Sequence, residues 1–263
     1  MTRSEDARCV AVVGACGGAG TSTVAALLAH AEHRGARPAV LVGLDRGGGG
    51  LDVVLGIEDL PGARWPDLDG VRGDIDGRAV LAALPVWRGV GVVSADRTRP
   101  VRSPGEPGVV ADVLRALRGA AGLVVLDAGV AGAAAPDLLG ACDAVVLVVP
   151  LEVRGVAGAV AALAERAQAG AAGPGTVVVA RDVPGGGVGE RLLADVVGAP
   201  VLDTLPWHRV SRREADAGYG PPTGRRTPTG RFARRLADAL AVLPAVPGPV
   251  APAVPARGRA EPW

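Results

Sequence analysis

No lysine occurs among the 263 residues; the 28 residues counted as Lys plus Arg are all arginine. Every fixed positive side chain is therefore a guanidinium, and no site can use a lysine ammonium. Aromatic residues are also scarce. One Phe and one Tyr leave no platform on which the bases of a single strand would stack. A formal net charge of +1 excludes bulk electrostatic attraction to nucleic acid, although arginines can still cluster locally. Cys9, Cys16 and Cys142 are the three cysteines, an odd count without CxxC spacing, so free thiols in a reducing compartment are expected. No run approaches the ~20 apolar residues of a membrane-spanning helix. Residues 2–8 are polar and the apolar run after them leads straight into glycines, so no secretory leader is expected and the chain reads as cytoplasmic.

What is present is a globular composition, 49% hydrophobic and 21% charged, organised around the stretch GACGGAGTST at residues 14–23. This stretch lies between the apolar run Val10–Val13 and a helical pattern of Val24, Leu27, Leu28 and Ala31. A glycine-rich loop in that setting ends a strand, opens a helix and turns backbone N–H groups toward a phosphate. The candidate cradle is Gly14, Ala15, Cys16, Gly17, Gly18, Ala19, Gly20, Thr21, Ser22 and Thr23. The common form of such a loop is GxxxxGK(S/T), in which Lys reaches the β- and γ-phosphates and the hydroxyl holds Mg²⁺. Here Ser22 supplies that hydroxyl, Ala15 replaces the first Gly, and Thr21 replaces the Lys. The loop keeps the cradle and loses its charge.

Apolar β-branched runs alternate with helical patterns, which predicts an α/β fold: one doubly wound, mostly parallel sheet covered on both faces, without internal repeats. Strands are expected near 8–14, 39–44, 90–94, 122–127, 143–149, 175–180 and 200–205. Helices are expected near 21–35, 76–84, 108–119, 131–141, 153–169, 188–197, 209–217 and 228–242. The last should pack through Phe232, Leu236, Ala239, Leu240 and Leu243. Residues 1–243 are expected to form the domain, and 244–263, broken by closely spaced prolines, a disordered tail. Arg97–Pro107 and Pro221–Thr229 read as surface loops with solvated arginines. Trp65, Trp87 and Trp207 are expected at the rim of the core, and Trp263 at the end of the tail. His30 and His33, spaced i, i+3 with no third ligand in view, read as solvated or partly packed rather than metal-bound.

In an open parallel sheet, ligands sit beyond the carboxyl ends of the strands. Two acids qualify: Asp45, after VLVGL and before four glycines, and Asp127, at the end of LVVL. A carboxylate there can orient a water or accept a Mg²⁺-bound water, the division of labour that phosphate hydrolysis needs. It can also merely cap the next turn.

GACGGAGTST resembles the deviant Walker A motif of the MinD/ParA ATPases, KGGxGK(S/T), and especially its CpaE/TadZ branch. LDRGGGGLDVVLGIED, residues 44–59, resembles the segment after that family's second strand, and LVVLDAG resembles its switch segment. The resemblance makes Asp45 the water-orienting acid and places Asp127, with Ser22, at the Mg²⁺. It implies ATP or ADP with Mg²⁺ as cofactor, the loop as its binding site, and a homodimer. Gly43 stands where many members have another Asp. The segment from Arg64 to Arg97 is similar to a subgroup of CpaE-like proteins from GC-rich bacteria, also called septum site-determining proteins; many members carry a receiver-like domain before the loop, whereas this chain starts almost at the first strand. The resemblance covers residues 8–243.

Cys16 occupies the family's signature Lys or Arg position, so both phosphate-binding cations are absent. Ala180 and Arg181 stand where many relatives carry an adenine-reading Asn, which makes Arg181 a candidate nucleotide contact, through base stacking or as a strand-end charge. A lost charge-assisted contact removes roughly 1.5–3 kcal/mol, about one to two decades of affinity. A lost transition-state donor costs ~10² or more in rate. Weak nucleotide binding with slow or absent hydrolysis is the resulting expectation. The implied role is a spatial regulator acting through protein partners of the division machinery or of a Tad-type pilus or secretion apparatus, recruited by them to the septum or pole. An active ParA-like ATPase in DNA or plasmid partition is the alternative. A nitrogenase-iron-protein-like relative would need two cluster cysteines outside the loop, and a tyrosine kinase a tyrosine-rich tail; the sequence offers neither. No direct nucleic-acid contact is expected, and the proline-rich tail, with only Arg257 and Arg259, does not make a membrane-targeting helix.

Overall fold

The computed structural model describes residues 7–33, 38–45, 50–71, 73–99, 107–133, 136–168 and 175–242. Eight strands are present: β1 (Arg8–Gly14), β2 (Ala39–Gly43), β3 (Val86–Trp87), β4 (Val90–Val93), β5 (Leu123–Val130), β6 (Ala144–Pro150), β7 (Thr176–Arg181) and β8 (Val201–Leu205). Helices among the described residues are α1 (Thr21–Glu32), α2 (Leu51–Leu55), α3 (Trp65–Leu68), α4 (Gly77–Ala83), α5 (Pro107–Ala120), α6 (Pro136–Gly140), α7 (Val153–Gln168), α8 (Glu190–Val197), α9 (Arg209–Asp216) and α10 (Pro228–Val242).

The strands form one sheet in the order β3-β4-β2-β5-β1-β6-β7-β8, parallel except for the β3–β4 pair. β1 lies in the middle and alternates its side chains between two cores. Cys9, Ala11 and Val13 join the core under α4, α5, α7 and α8. Val10 and Val12 join the one under α1 and α10. Burial on both faces is why each central strand is a continuous apolar run rather than an alternating one. The chain leaves β1 for β2 on one side and later places β6 on the other. The connections therefore diverge at the carboxyl end of β1, where open α/β sheets bind ligands.

All seven expected strands are present, and the doubly wound layout is as read from the sequence. The edge hairpin β3–β4 was not expected. Its two-residue turn holds Arg88 at φ 46° and Gly89 at φ 88°, both positive as this kind of tight turn requires. Arg-Gly is a weak signal for it. The single helix expected over 131–141 is instead a short 3₁₀ turn, Ala131–Ala133, and α6. Pro136 has no N–H to continue a preceding helix and starts a new one. In α10 the buried stripe is Phe232, Ala233, Leu236, Ala237 and Leu240, one position round from the expected one; Leu243 lies outside the described residues, as do the tail from 244 and Trp263. Trp65 and Trp87 are buried, but Trp207 is 41% exposed, which corrects its assignment to the core rim.

A buried ion pair shapes the segment between β2 and β4. Arg64 is 6% exposed and Asp52 1%, with Nε–Oδ2 at 3.6 Å. The Arg64 guanidinium also donates to the carbonyls of Ile57, Glu58, Leu60 and Gly62, tying four loop carbonyls to one buried charge. Arg97 and Arg99, read as solvated, bind carboxylates: Arg97 meets Asp59 at 2.8 Å, and Arg99 meets Asp67 at 2.7 Å and Asp96 at 2.8 Å. Cys9 and Cys142 are free thiols with sulfurs 3.5 Å apart. Among the described residues no helix is long and apolar enough to cross a membrane.

Candidate nucleotide site

The loop of residues 15–20 joins the end of β1 to α1, between strands β5 and β6. Ala15 N–H donates to the Val148 carbonyl at 2.9 Å, and Ala19 N–H to the Cys16 carbonyl at 3.3 Å. α1 starts after Gly20, which sits at φ 95°; no side chain caps it and its first turn holds no acid. The opening N–H groups of a helix have no intrahelical acceptor and sit at the positive end of the helix dipole. An anion is the natural partner for such an end. On the other side, Gly158 of α7 lies so close that a β-carbon there would collide with the Ala15 carbonyl.

Thr21 borders the cavity but brings no charge to it. It is 9% exposed, and its hydroxyl turns beneath the loop, where a β-carbon on Gly14 would meet Oγ1 at 2.5 Å. Cys16 and the exposed Gly17 and Gly18 form the outer lip, and Ser22 and Thr23 line the cavity beside it. The loop thus presents backbone donors and hydroxyls but no cation of its own.

Asp127 stands on β5 beside Val12 of β1 and Gly43 of β2. It is 8% exposed. Burial raises its carboxyl above the ordinary range; the Ser22 hydroxyl and, at 3.4 Å, the Gly129 N–H oppose that shift, and the charge of Asp45 adds to it. Asp45 itself is exposed, just past β2. The structure therefore brings Ser22, Asp127 and Asp45, widely separated in sequence, to one end of the sheet. At Gly43, where the resemblance places a second acid, a β-carbon would meet Leu51 Cδ1 at 3.0 Å, so a side chain there would require Leu51 to shift. Among the described residues no group of three or more His, Cys, Asp or Glu is placed to hold a metal. Mg²⁺ commonly takes only one or two protein oxygens and completes its shell with phosphates and water. Ser22 and Asp127 fit that use.

The loop forms one wall of a cavity of about 380 Å³, a size typical of small-ligand sites. The end of β8 and α9 also line it, through Leu205, Pro206, Trp207, His208 and Arg212. Sequence reading missed these residues. Their position beyond the carboxyl end of a parallel strand is the available signal, but only the sheet order shows that β8 lies on the same side of the loop. Arg181, the last residue of β7, also lines the cavity. Its guanidinium donates to the Gly18 carbonyl, so it reaches the loop itself.

No protein-family model matches the chain. It is 37% identical over 235 residues to uncharacterized protein Rv3660c of Mycobacterium tuberculosis H37Rv, an overlap of 89% of this chain and 63% of the relative. The chain thus spans less than two thirds of that protein's length. Its structure resembles a ParA family ATPase from Chlorobium tepidum, with TM-score 0.76 and 15% identity, covering 90% of this chain and 100% of that one. It also resembles the septum site-determining protein MinD of Pyrococcus horikoshii complexed with Mg-ADP, with TM-score 0.69 and 19% identity, covering 89% and 96%. The eight-stranded sheet, the loop at the end of its central strand and these likenesses together give the chain the fold of the MinD/ParA-type P-loop ATPases.

Proposed function

We propose that this chain is a CpaE-like spatial regulator of the septum site-determining kind. It binds ADP or ATP with Mg²⁺ weakly, turns ATP over slowly or not at all, and acts through protein contacts in septum placement or in positioning a Tad-type pilus or secretion apparatus. One observation carries the reading. The cradle, Ser22 and the Asp127–Asp45 pair come together at the end of the central strand, while Thr21 turns beneath the loop and Cys16 brings no charge. Backbone N–H groups at a helix start suffice to hold phosphate. Slow hydrolysis follows because developing charge on the transferred group needs a placed cation, worth ~10² or more in rate.

In this reading the loop 14–23 holds the phosphates, Ser22 and Asp127 the Mg²⁺, Asp45 a water, and the β8–α9 wall the base. When bound, Mg²⁺ neutralises phosphate charge; the chain's own residues only bind and orient. Isothermal titration of the chain with ADP and ATP in Mg²⁺ should give binding, and an ATPase assay should give turnover well below ~1 s⁻¹, the low end for ordinary enzymes. Turnover at ~1 s⁻¹ or faster without a partner would transfer the case to an active partition ATPase, and absence of any nucleotide binding would sink the nucleotide reading.

A further inference from the structure

This inference rests on the reading of the loop as a phosphate site and concerns the source of its missing charge. Arg181 ends β7, two strands from β1, and its backbone is fixed on both sides: its carbonyl accepts from Leu151 N–H at 2.9 Å, and it pairs with Leu205 of β8. From there the side chain crosses to the loop. Its Cδ lies 3.2 Å from where a β-carbon on Gly20 would stand, so a side chain there would crowd the crossing. A guanidinium N–H reaches the Gly18 carbonyl. One bond to a neutral carbonyl uses one of five donors, and among the described residues no carboxylate forms an ion pair with this group. Burial, and after it the nearby Arg212, depress the Arg181 pKa, while Glu152 and Cys16 oppose this. Arg212 is itself held by Asp216 at 2.9 Å. Among the described residues, a half-buried guanidinium without a carboxylate ion pair thus lies against a helix start with no side-chain cap and no acid in its first turn.

We propose that Arg181 supplies the nucleotide's diphosphate with the positive charge that Thr21 and Cys16 no longer provide, exchanging the Gly18 carbonyl for phosphate oxygens. The cation comes from β7, two strands away, rather than from the loop or a second subunit. Position favours the phosphates, since the guanidinium is already at Gly18, within the cradle. A planar fork matches two phosphate oxygens at once.

The test is isothermal titration of wild type, Arg181→Gln and Arg181→Lys with Mg-ADP, Mg-GDP and inorganic pyrophosphate, with melting of the ligand-free proteins alongside. Loss of the charged fork should weaken ADP and pyrophosphate alike, by about ten- to a hundredfold, and leave the ADP-to-GDP ratio unchanged. Lysine should recover only part, because a point charge does not reproduce the fork. Unchanged pyrophosphate affinity with an altered ADP-to-GDP ratio would make Arg181 a base contact and overturn the proposal. So would tighter binding by the Gln variant, which would make Arg181 a plug over the loop. If the Gln variant does not fold, the Lys variant carries the test, and wild-type affinity in it overturns the proposal. Wild type that binds neither ADP nor pyrophosphate removes the phosphate site and this inference together; wild type that binds while Arg181→Gln binds equally well removes the inference alone.

Discussion

Burial holds the Asp127 carboxyl above its ordinary value of 3.8, so the folded protein keeps a proton there that the unfolded chain has already released. The stability tied to this group is full below the ordinary value and is lost as pH rises through the raised one. At neutral pH the charged carboxylate is a cost to the apoprotein that a bound cation would offset. Asp127→Asn should therefore raise the melting temperature of the ligand-free protein at pH 7.5, by about 2–4 °C for each kcal/mol in a domain of this size. The gain should vanish toward pH 4, and added Mg²⁺ with ADP should stabilise the variant less than wild type. A variant that melts lower than wild type at pH 7.5 would mean that the charged form is already compensated in the fold.

Asp67 and Asp96 behave in the opposite sense. Hydrogen bonds from the Arg99 guanidinium and the Arg64 N–H lower Asp67, and bonds from Thr98 and Arg99 lower Asp96. Their contribution is present above the ordinary carboxylate value and is lost as pH falls below it. Arg64 is a different case, because it and Asp52 are both buried. Arg64→Ala leaves Asp52 without its cation and four carbonyls without their donor, and should cost about 3–5 kcal/mol in urea unfolding. A loss under about 1 kcal/mol would show that the segment relaxes around the gap.

At the scale of elements, α7 is the support behind the loop. Glycine in a helix interior costs ~1 kcal/mol relative to alanine, and Gly158 sits where any β-carbon would strike the Ala15 carbonyl. Gly158→Val should cost about 1–3 kcal/mol by overpacking and weaken ADP binding by displacing the loop. A variant that keeps both its melting temperature and its ADP affinity would show that α7 does not position the loop. Long elements with a strong period were legible: β1, α1, β6 and α7 follow directly from their apolar runs and stripes. α3 and β3, with four and two residues, are too short for any period to show. They exist because Trp65 reaches the Gly43 carbonyl at 2.7 Å and Trp87 buries itself in the core under α1.

For the molecule as a whole, one mutation pair would give the loop the two charges that its resemblance to the MinD/ParA motif implies. Cys16→Lys with Thr21→Lys should tighten ATP binding by about one to two decades and favour a Mg-ATP-dependent dimer in sedimentation. Equal affinity in the double variant would mean that the loop does not meet phosphate. Near the cavity, α9 displays Val210 at 50% exposure, three residues after the 41% exposed Trp207, and exposed apolar side chains of this kind suit protein contact. The proposed role requires a fluorescent fusion to form foci in the native host, and Val210→Glu should disperse them while leaving melting unchanged; retained foci would place the contact elsewhere.

The sequence by itself determined the sheet-and-helix alternation, the glycine loop at the end of the first strand, the two strand-end acids and the absence of a cationic side chain from that loop, because each is written in a local run of residues. Only the tertiary structure decided what those pieces do together. Strand order put Asp127 between Val12 and Gly43, brought the β8–α9 residues to the same cavity as the loop, and brought Arg181 to Gly18 across more than 160 intervening positions. Local pattern cannot encode such neighbours, since they follow from which strands pair and from how closely helices pack where a glycine leaves room.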